Sequence, residues 1–292
     1  MKKWTAGLLS VILVMGMTAC NKDDNKDANG GAGNTPNAEQ PGKGSEAPKD
    51  AVPTVDELIQ KSAEASKGLK SFSMDSDIKQ NIKVNVGETK EETKVDMSMK
   101  MDTTTEPMEM YQELDVNMAG EKQHMKQYIT QKGVFANVDG QWVEVPEEEA
   151  KQFQNSLAAT AEAPEKQLEQ FKKISKDTKV SEEGDQYILT ADVSGDNLKE
   201  LAKSYMSQTG GNNEQTEMMM EQMNIKSMKV IFGVNKTTYL PTKTDMDMVM
   251  EMEQDGQKIS LEMVMKSTIS KHNEVKKIEV PAEALGSKGD SK

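Results

Sequence analysis

A chain of 292 residues with 49 acidic against 36 basic side chains carries a formal charge of -13. A surface that acidic is repelled by phosphate backbones and anionic lipid heads, which excludes nucleic acid as a partner. The single cysteine rules out an internal disulfide framework, so the fold has to rest on its core, as suits a Gram-positive type of surface.

Lys2 and Lys3 precede a short apolar stretch, Gly7 to Met17, which is too short to span a bilayer comfortably and has the layout of a secretory signal peptide, residues 1–19. The residues that close it, Met17-Thr18-Ala19-Cys20, resemble the lipobox of bacterial lipoproteins, with methionine where leucine is usual. The resemblance implies cleavage after Ala19, a diacylglyceryl group on the sulfur of Cys20, and a location on the outer face of the cell membrane. One acyl chain binds a bilayer only marginally, at about 0.8 kcal/mol per buried methylene, whereas two or three hold a protein stably. After Cys20, residues 21–53 are rich in Asn, Asp, Lys, Gly and Pro and cannot bury enough apolar surface to fold. As a flexible coil this tether spans roughly 30 Å.

The folded domain is expected over residues 54–282. Thr54 and Glu57 form a capping box, and Val55, Leu58, Ile59, Ser62, Ala65, Ser66 and Leu69 recur at helical spacing behind it. From Ser71 the period falls to two. Phe72, Met74 and Ser76 alternate with polar residues, and Ile78, Ile82, Val84 and Val86 continue the strand to Gly87. Val95, Met97, Met99 and Met101 oppose Lys94, Asp96, Ser98 and Lys100 in a second strand. Met108, Met110, Leu114, Val116 and Met118 line a third, ended by Gly120. Such alternation predicts antiparallel sheet with one wet face. Met125, Gln127 and Ile129, then Val134 to Val138, an Asp139-Gly140 turn and Trp142 to Val145 extend the meander.

Pro146 and Glu147 to Glu149 start a helical interval with Ala150, Phe153 and Leu157 as its stripe, broken at Pro164. Leu168, Phe171 and Ile174 suggest another helix before a strand at Gln186 to Val193. Leu198, Leu201, Ala202, Tyr205 and Met206 suggest a further helix, and Met218, Met219, Met220 and Met223 a short one. Strand character returns at Met228, Val230 and Phe232, with a turn at Asn235-Lys236 and a strand from Thr237 to Leu240. Met246, Met248, Met250 and Met252 then alternate with Asp245, Asp247, Val249 and Glu251. An Asp255-Gly256 turn leads back through Ile259, Leu261, Met263 and Met265, which puts both methionine rows on one face. Residues 283–292 are read as a polar tail.

Thus the order is an acylated cysteine, a tether, a capped helix running into Lys70-Ser71-Phe72, long antiparallel strands, a helical middle and closing hairpins. Over Thr54 to Pro281 this order resembles the LolA-like superfamily, which includes the lipoprotein carrier LolA and the LppX- and LprG-type lipoproteins of the mycobacterial surface. The chain looks closest to an uncharacterised group of Gram-positive lipoproteins within that fold. The resemblance implies an α+β fold, a strongly curved antiparallel β half-barrel with helices packed on its concave face, and in the better-known members an apolar cavity that holds acyl chains.

Twenty of the 23 methionines lie beyond the signal. They either fill a core under the helices or line a cavity, where an unbranched, polarizable side chain repacks around cargo of varied shape. The candidate cavity residues are Met97, Met99, Met101, Met108, Met110, Met118, Met246, Met248, Met250, Met252, Met263 and Met265. Met108-Glu109-Met110 and Met246-Asp247-Met248 also resemble the thioether motifs of copper-handling proteins, which favour Cu(I), although the same spacing suits a buried strand face. His124 and His272 sit in polar surroundings, and no nucleophile elbow, zinc-binding helix or phosphate loop occurs. The reading is a non-enzymatic, lipid-anchored protein without cofactor that binds an apolar or lipid-linked ligand. Its rival is a fully packed module whose acidic outer face binds an envelope protein.

Overall fold

The structure, a computed structural model, describes residues 52–87, 89–161, 178–193, 223–254 and 257–286. Its first helix forms where the sequence places it. Thr54 Oγ1 accepts from the Glu57 amide at 3.3 Å, and Glu57 Oε2 accepts from the Thr54 amide at 2.9 Å, so two of the amides that a helix start leaves open are satisfied reciprocally. The Thr54 amide, together with the Thr54 hydroxyl that donates to the same Oε2 at 3.0 Å, holds the Glu57 carboxyl below its ordinary range. This helix, α1, spans Val55–Ser66.

The strands are β1 (Ser71–Val86), β2 (Thr89–Thr105), β3 (Met108–Met118), β4 (Glu121–Thr130), β5 (Gly133–Val138) and β6 (Gln141–Glu144), followed by α2 (Glu147–Ala161). Then come β7 (Thr178–Glu183), β8 (Gln186–Val193), β9 (Met223–Asn235), β10 (Pro241–Gln254), β11 (Gln257–Ser270) and a short α3 (Ala282–Leu285). The eleven strands make one sheet in the order β6-β5-β4-β3-β2-β1-β11-β10-β9-β8-β7, and every pairing is antiparallel. So many twisted strands curl. With β6 and β7 at opposite edges, the sheet forms an unclosed half-barrel, mostly β with few helices.

Asp139 and Gly140 turn β5 into β6 with φ values of 49° and 92°, a left-handed pair that the Asp-Gly sequence tolerates. Asp255 and Gly256 lie outside the described residues, but Gln254 pairs with Gln257 across them, as a two-residue hairpin requires.

Residues paired directly in antiparallel strands point to the same side. The registers therefore carry one face across the whole sheet, and α1 and α2 both pack on it. Leu58, 0% exposed, and Ile59 of α1 form a cluster with Leu189 of β8 and Val234 of β9. Ala150 of α2 does the same with Met110, Ile129 and Val134, bordered by Met101 and Phe153. Complete burial of a leucine is worth about 1.5–3 kcal/mol, so these two clusters fix the helices over the two ends of the sheet.

Several expectations change. Met223 starts β9 and is not in a helix, and Thr237 to Leu240 form no strand: Lys236 to Thr238 turn, and Tyr239, at φ 58°, and Leu240 lead irregularly into β10 at Pro241. Asn235 explains the turn, because its Oδ1 accepts from the amides of Thr237 and Thr238 at 2.9 Å each. Strand β7 was not expected, since Val180 is the only apolar side chain in Thr178–Glu183. The packed chain also runs past residue 282: Ala284 of α3 is 0% exposed and clusters with Phe135 and Val280. That contact lies on the face opposite α1 and α2. The stripes at Leu168, Phe171 and Ile174, at Leu198, Leu201, Ala202, Tyr205 and Met206, and at Met218, Met219 and Met220 lie outside the described residues.

Candidate functional site: a methionine-lined sheet face

The register collects the methionines that the sequence singles out. One row crosses the sheet as Ala191, Val230, Met246, Met265, Ile78, Met97 and Val116, each paired with the next. The row beside it reads Val193, Met228, Met248, Met263, Gln80, Val95 and Met118. Met99 and Met101 stand further along β2 on the same side, paired with Ser76 and Met74. Met108 and Met110 share the alternation of β3, and Met250 and Met252 that of β10, opposite Leu261 and Ile259. All twelve candidates thus fall on the side that carries α1 and α2.

Three more methionines join them: Met74 of β1, Met125 of β4 and Met228 of β9, which pair with Met101, Leu114 and Met248. Their period-2 placement was visible in the sequence, but lone methionines outside a Met-x-Met run gave no reason to group them.

No lysine or arginine of the described strands places its charge on this face: the register-paired lysines occupy the alternate positions, and Lys226, in the bulge between Ile225 and Ser227, reaches Glu251 on the other side. Its polar groups are uncharged over the centre. Ser76 Oγ donates to Ser267 Oγ at 2.8 Å, both side chains being buried. Gln80 Nε2 lies 3.7 Å from the sulfur of Met263. Most methionines of the face are half-buried, whereas Val95 is 0% and Met263 7% exposed. The groove of about 410 Å³ at β8 to β11 is not a cavity of this face alone: Val193, Met228, Met248 and Met263 touch it, but most of its lining, including Asp192, Lys229, Asp247, Glu262 and Val264, occupies the alternate positions.

The opposite face is charged. Lys83 Nζ lies 2.9 Å from Glu262 and draws its carboxyl down, and Glu251 sits between Lys258 at 3.2 Å and Lys226 at 3.3 Å, which lower it likewise. His124, read as a plain surface residue, is held between Asp115 at 2.7 Å and Glu113 at 3.4 Å. His272 Nε2 lies 2.8 Å from the Pro241 carbonyl. Among the described residues no cluster of His, Cys, Asp or Glu is placed to hold a metal ion, and no helix is long and apolar enough to cross a membrane.

These features define a class, an open antiparallel half-barrel with a continuous apolar face and a charged one. The chain belongs to the family of unknown function DUF6612, which matches residues 54–289. No curated protein matches it. Among solved structures it is similar to a LolA superfamily protein from Nitrosomonas europaea, at 10% identity over 74% of this chain and 94% of that one, with a TM-score of 0.16. It is also similar to a DUF1329 family protein from Desulfovibrio piger, at 9% identity over 75% and 92% with a TM-score of 0.20. A third is a beta-barrel-like protein of the DUF1849 family from Brucella abortus, at 7% identity over 69% and 98% with a TM-score of 0.21. At TM-scores this small, strand order and register carry the fold description.

Proposed function

We propose that the protein is a non-catalytic lipoprotein, anchored to the outer face of the cell membrane through diacylglyceryl-Cys20, that binds an apolar or lipid-linked ligand on its methionine-lined face. One observation carries the binding reading. Two adjacent rows rich in methionine run from β9 to β3, apolar throughout except at Gln80, while the described helices cover only the two ends of that face. Unbranched thioether side chains adapt to acyl chains of varied length without fixed partners. With no cation on this side of the described strands, the centre of the face offers no counter-charge to a buried phosphate, so the ligand is held by its apolar part.

Native mass spectrometry on protein purified from its own membrane tests the binding. An adduct that disappears on denaturation, and a lipid in the solvent extract, are the expected results. A bare mass that stays bare after incubation with lipids overturns the reading. Anchoring is tested separately by metabolic labelling with palmitate, which Cys20→Ser is expected to abolish while moving the protein out of the membrane fraction.

A second reading has its own support. Val95, Met263, Ser76 and Ser267 are all buried at the centre of the face, as in a filled core, and the protein would then act as an envelope interaction module through its charged outer face. Unchanged mass together with loss of a cross-linked protein partner on outer-face charge reversal would favour it.

A further inference from the structure

On the outer face, away from the methionines, a row of paired residues runs Ser73, Asp102, Tyr111, Tyr128 and Phe135 across β1 to β5. The chain leaving β11 crosses above it. Asn273 fixes the start of this crossing, since its amide donates to the Ser71 carbonyl at 2.8 Å and its Oδ1 accepts from the Lys70 amide at 2.6 Å. Val275 N donates to Ser71 Oγ at 3.2 Å. Ile278 and Val280, both buried, fix its far end against the sheet.

Between the crossing segment and the row lies a groove of about 440 Å³, within the usual range of small-molecule sites, about 300–1,000 Å³. Its floor is aromatic. The rings of Tyr111 and Tyr128 lie 4.8 Å apart between centroids, and Trp142 continues the series at 5.9 Å from Tyr128. Its walls are charged but balanced: Asp102, Glu274 and Glu279 against Lys271, Lys276 and Lys277. None of these six forms an ion pair with another described residue. Asp102 accepts a hydrogen bond from Ser73 Oγ and keeps a second carboxylate oxygen for a ligand.

We propose that this groove binds a short, uncharged glycan. Sugar rings present apolar C–H faces that stack on tyrosine, and hydroxyls at every edge that both donate and accept. Carboxylates and ammonium groups in equal number meet those hydroxyls, whereas a ligand of a single charge sign meets as many like charges as opposite ones. A long apolar chain would leave the charged walls unsolvated. The site is separate from the methionine face and stands whether or not that face binds lipid.

The test uses the full-length protein in detergent micelles, titrated with neutral tetrasaccharides of N-acetylglucosamine and of glucose. Saturation-transfer NMR reports on the sugar, and Trp142 and tyrosine fluorescence report on the site. Saturable binding to at least one tetrasaccharide is expected, weakened about tenfold by Tyr111→Ala, the scale of one lost aromatic contact. Asp102→Asn should weaken it severalfold and Met248→Asp should leave it unchanged. Should Tyr111→Ala fail to fold, Asp102→Asn decides, because that carboxylate is only partly buried and the amide keeps its shape. Binding to neither tetrasaccharide, undiminished binding by Asp102→Asn, or displacement by an acidic peptide in preference to sugar would overturn the proposal.

Discussion

Met248→Asp places a carboxylate between Met228 and Met263 across the strands and between Met246 and Met250 along its own. None of the described strands puts a cation on that side. The cost has a ceiling, because the carboxyl can take up a proton instead of remaining ionised. Raising it from an unfolded value of about 3.9 to neutrality at pH 7 spans about 3 units at 1.36 kcal/mol each, or about 4 kcal/mol. A half-buried position keeps some water, so a loss of about 1–3 kcal/mol at pH 7 is expected. Its pH dependence follows from linkage. The folded-state value lies above the unfolded one, so the penalty is absent below about pH 4 and grows as pH rises through the folded value. Urea unfolding followed by circular dichroism at pH 4, 5.5 and 7 would show the variant approaching the wild type at low pH, with Met248→Asn showing no such trend. Lipid co-purification measured on the same samples should fall sharply with the Asp variant. A variant as stable as the wild type at all three pH values, with undiminished lipid, would refute the assignment of Met248 to an apolar face.

Removing one hydroxyl of the Ser76–Ser267 pair strands the other in a buried site, so Ser76→Ala should cost about 1–2 kcal/mol in urea unfolding, while the Ser76→Ala, Ser267→Ala double variant should recover most of it. An additive double variant would show that the pair is solvated. Burial, reinforced by the Glu113 carboxylate, pushes the Tyr111 phenol up to about 12, and burial raises Tyr128 as well. In ultraviolet titration of the five tyrosines, Tyr111 and Tyr128 should ionise late. The folded phenol titrates above the unfolded one, so the stability it contributes is complete below about pH 10 and is lost as pH rises towards 12. Tyr111→Phe should remove that part of the alkaline loss, and a single tyrosine transition near pH 10 would contradict the burial.

Local chemistry was the readable part of this chain. The Thr54-Glu57 box, the Asp139-Gly140 turn and the strict alternation of Val95 to Met101 and Met246 to Met252 each depend on residues a few positions apart, and period two fixes which side chains share a face once a strand is granted. The pairing of β1 with β11 left no local trace, since it joins residues about 190 positions apart in the chain. Strand β7 was hidden because an edge strand beside Leu189 and Tyr187 needs only Val180 to face the core. The aromatic row of Tyr111, Tyr128 and Trp142 was equally hidden, as each of the three sits on a different strand and only register brings them together. Ile278 and Val280 do alternate, which was the available signal that the chain beyond β11 still packs.

The seam between β1 and β11 also governs how the molecule can be assembled. The segment from β1 to β6 contains only neighbouring hairpins, so it can form as soon as it is made. Its β1 edge then presents a 16-residue row of open backbone groups until β11, near the far end of the sequence, arrives to pair with it. Such an edge is a template for any passing strand. A chain cut short before Gln257 would keep every local hairpin of its first half and still expose that edge, making truncation products prone to associate with one another, whereas the complete chain seals the edge with its own last strand.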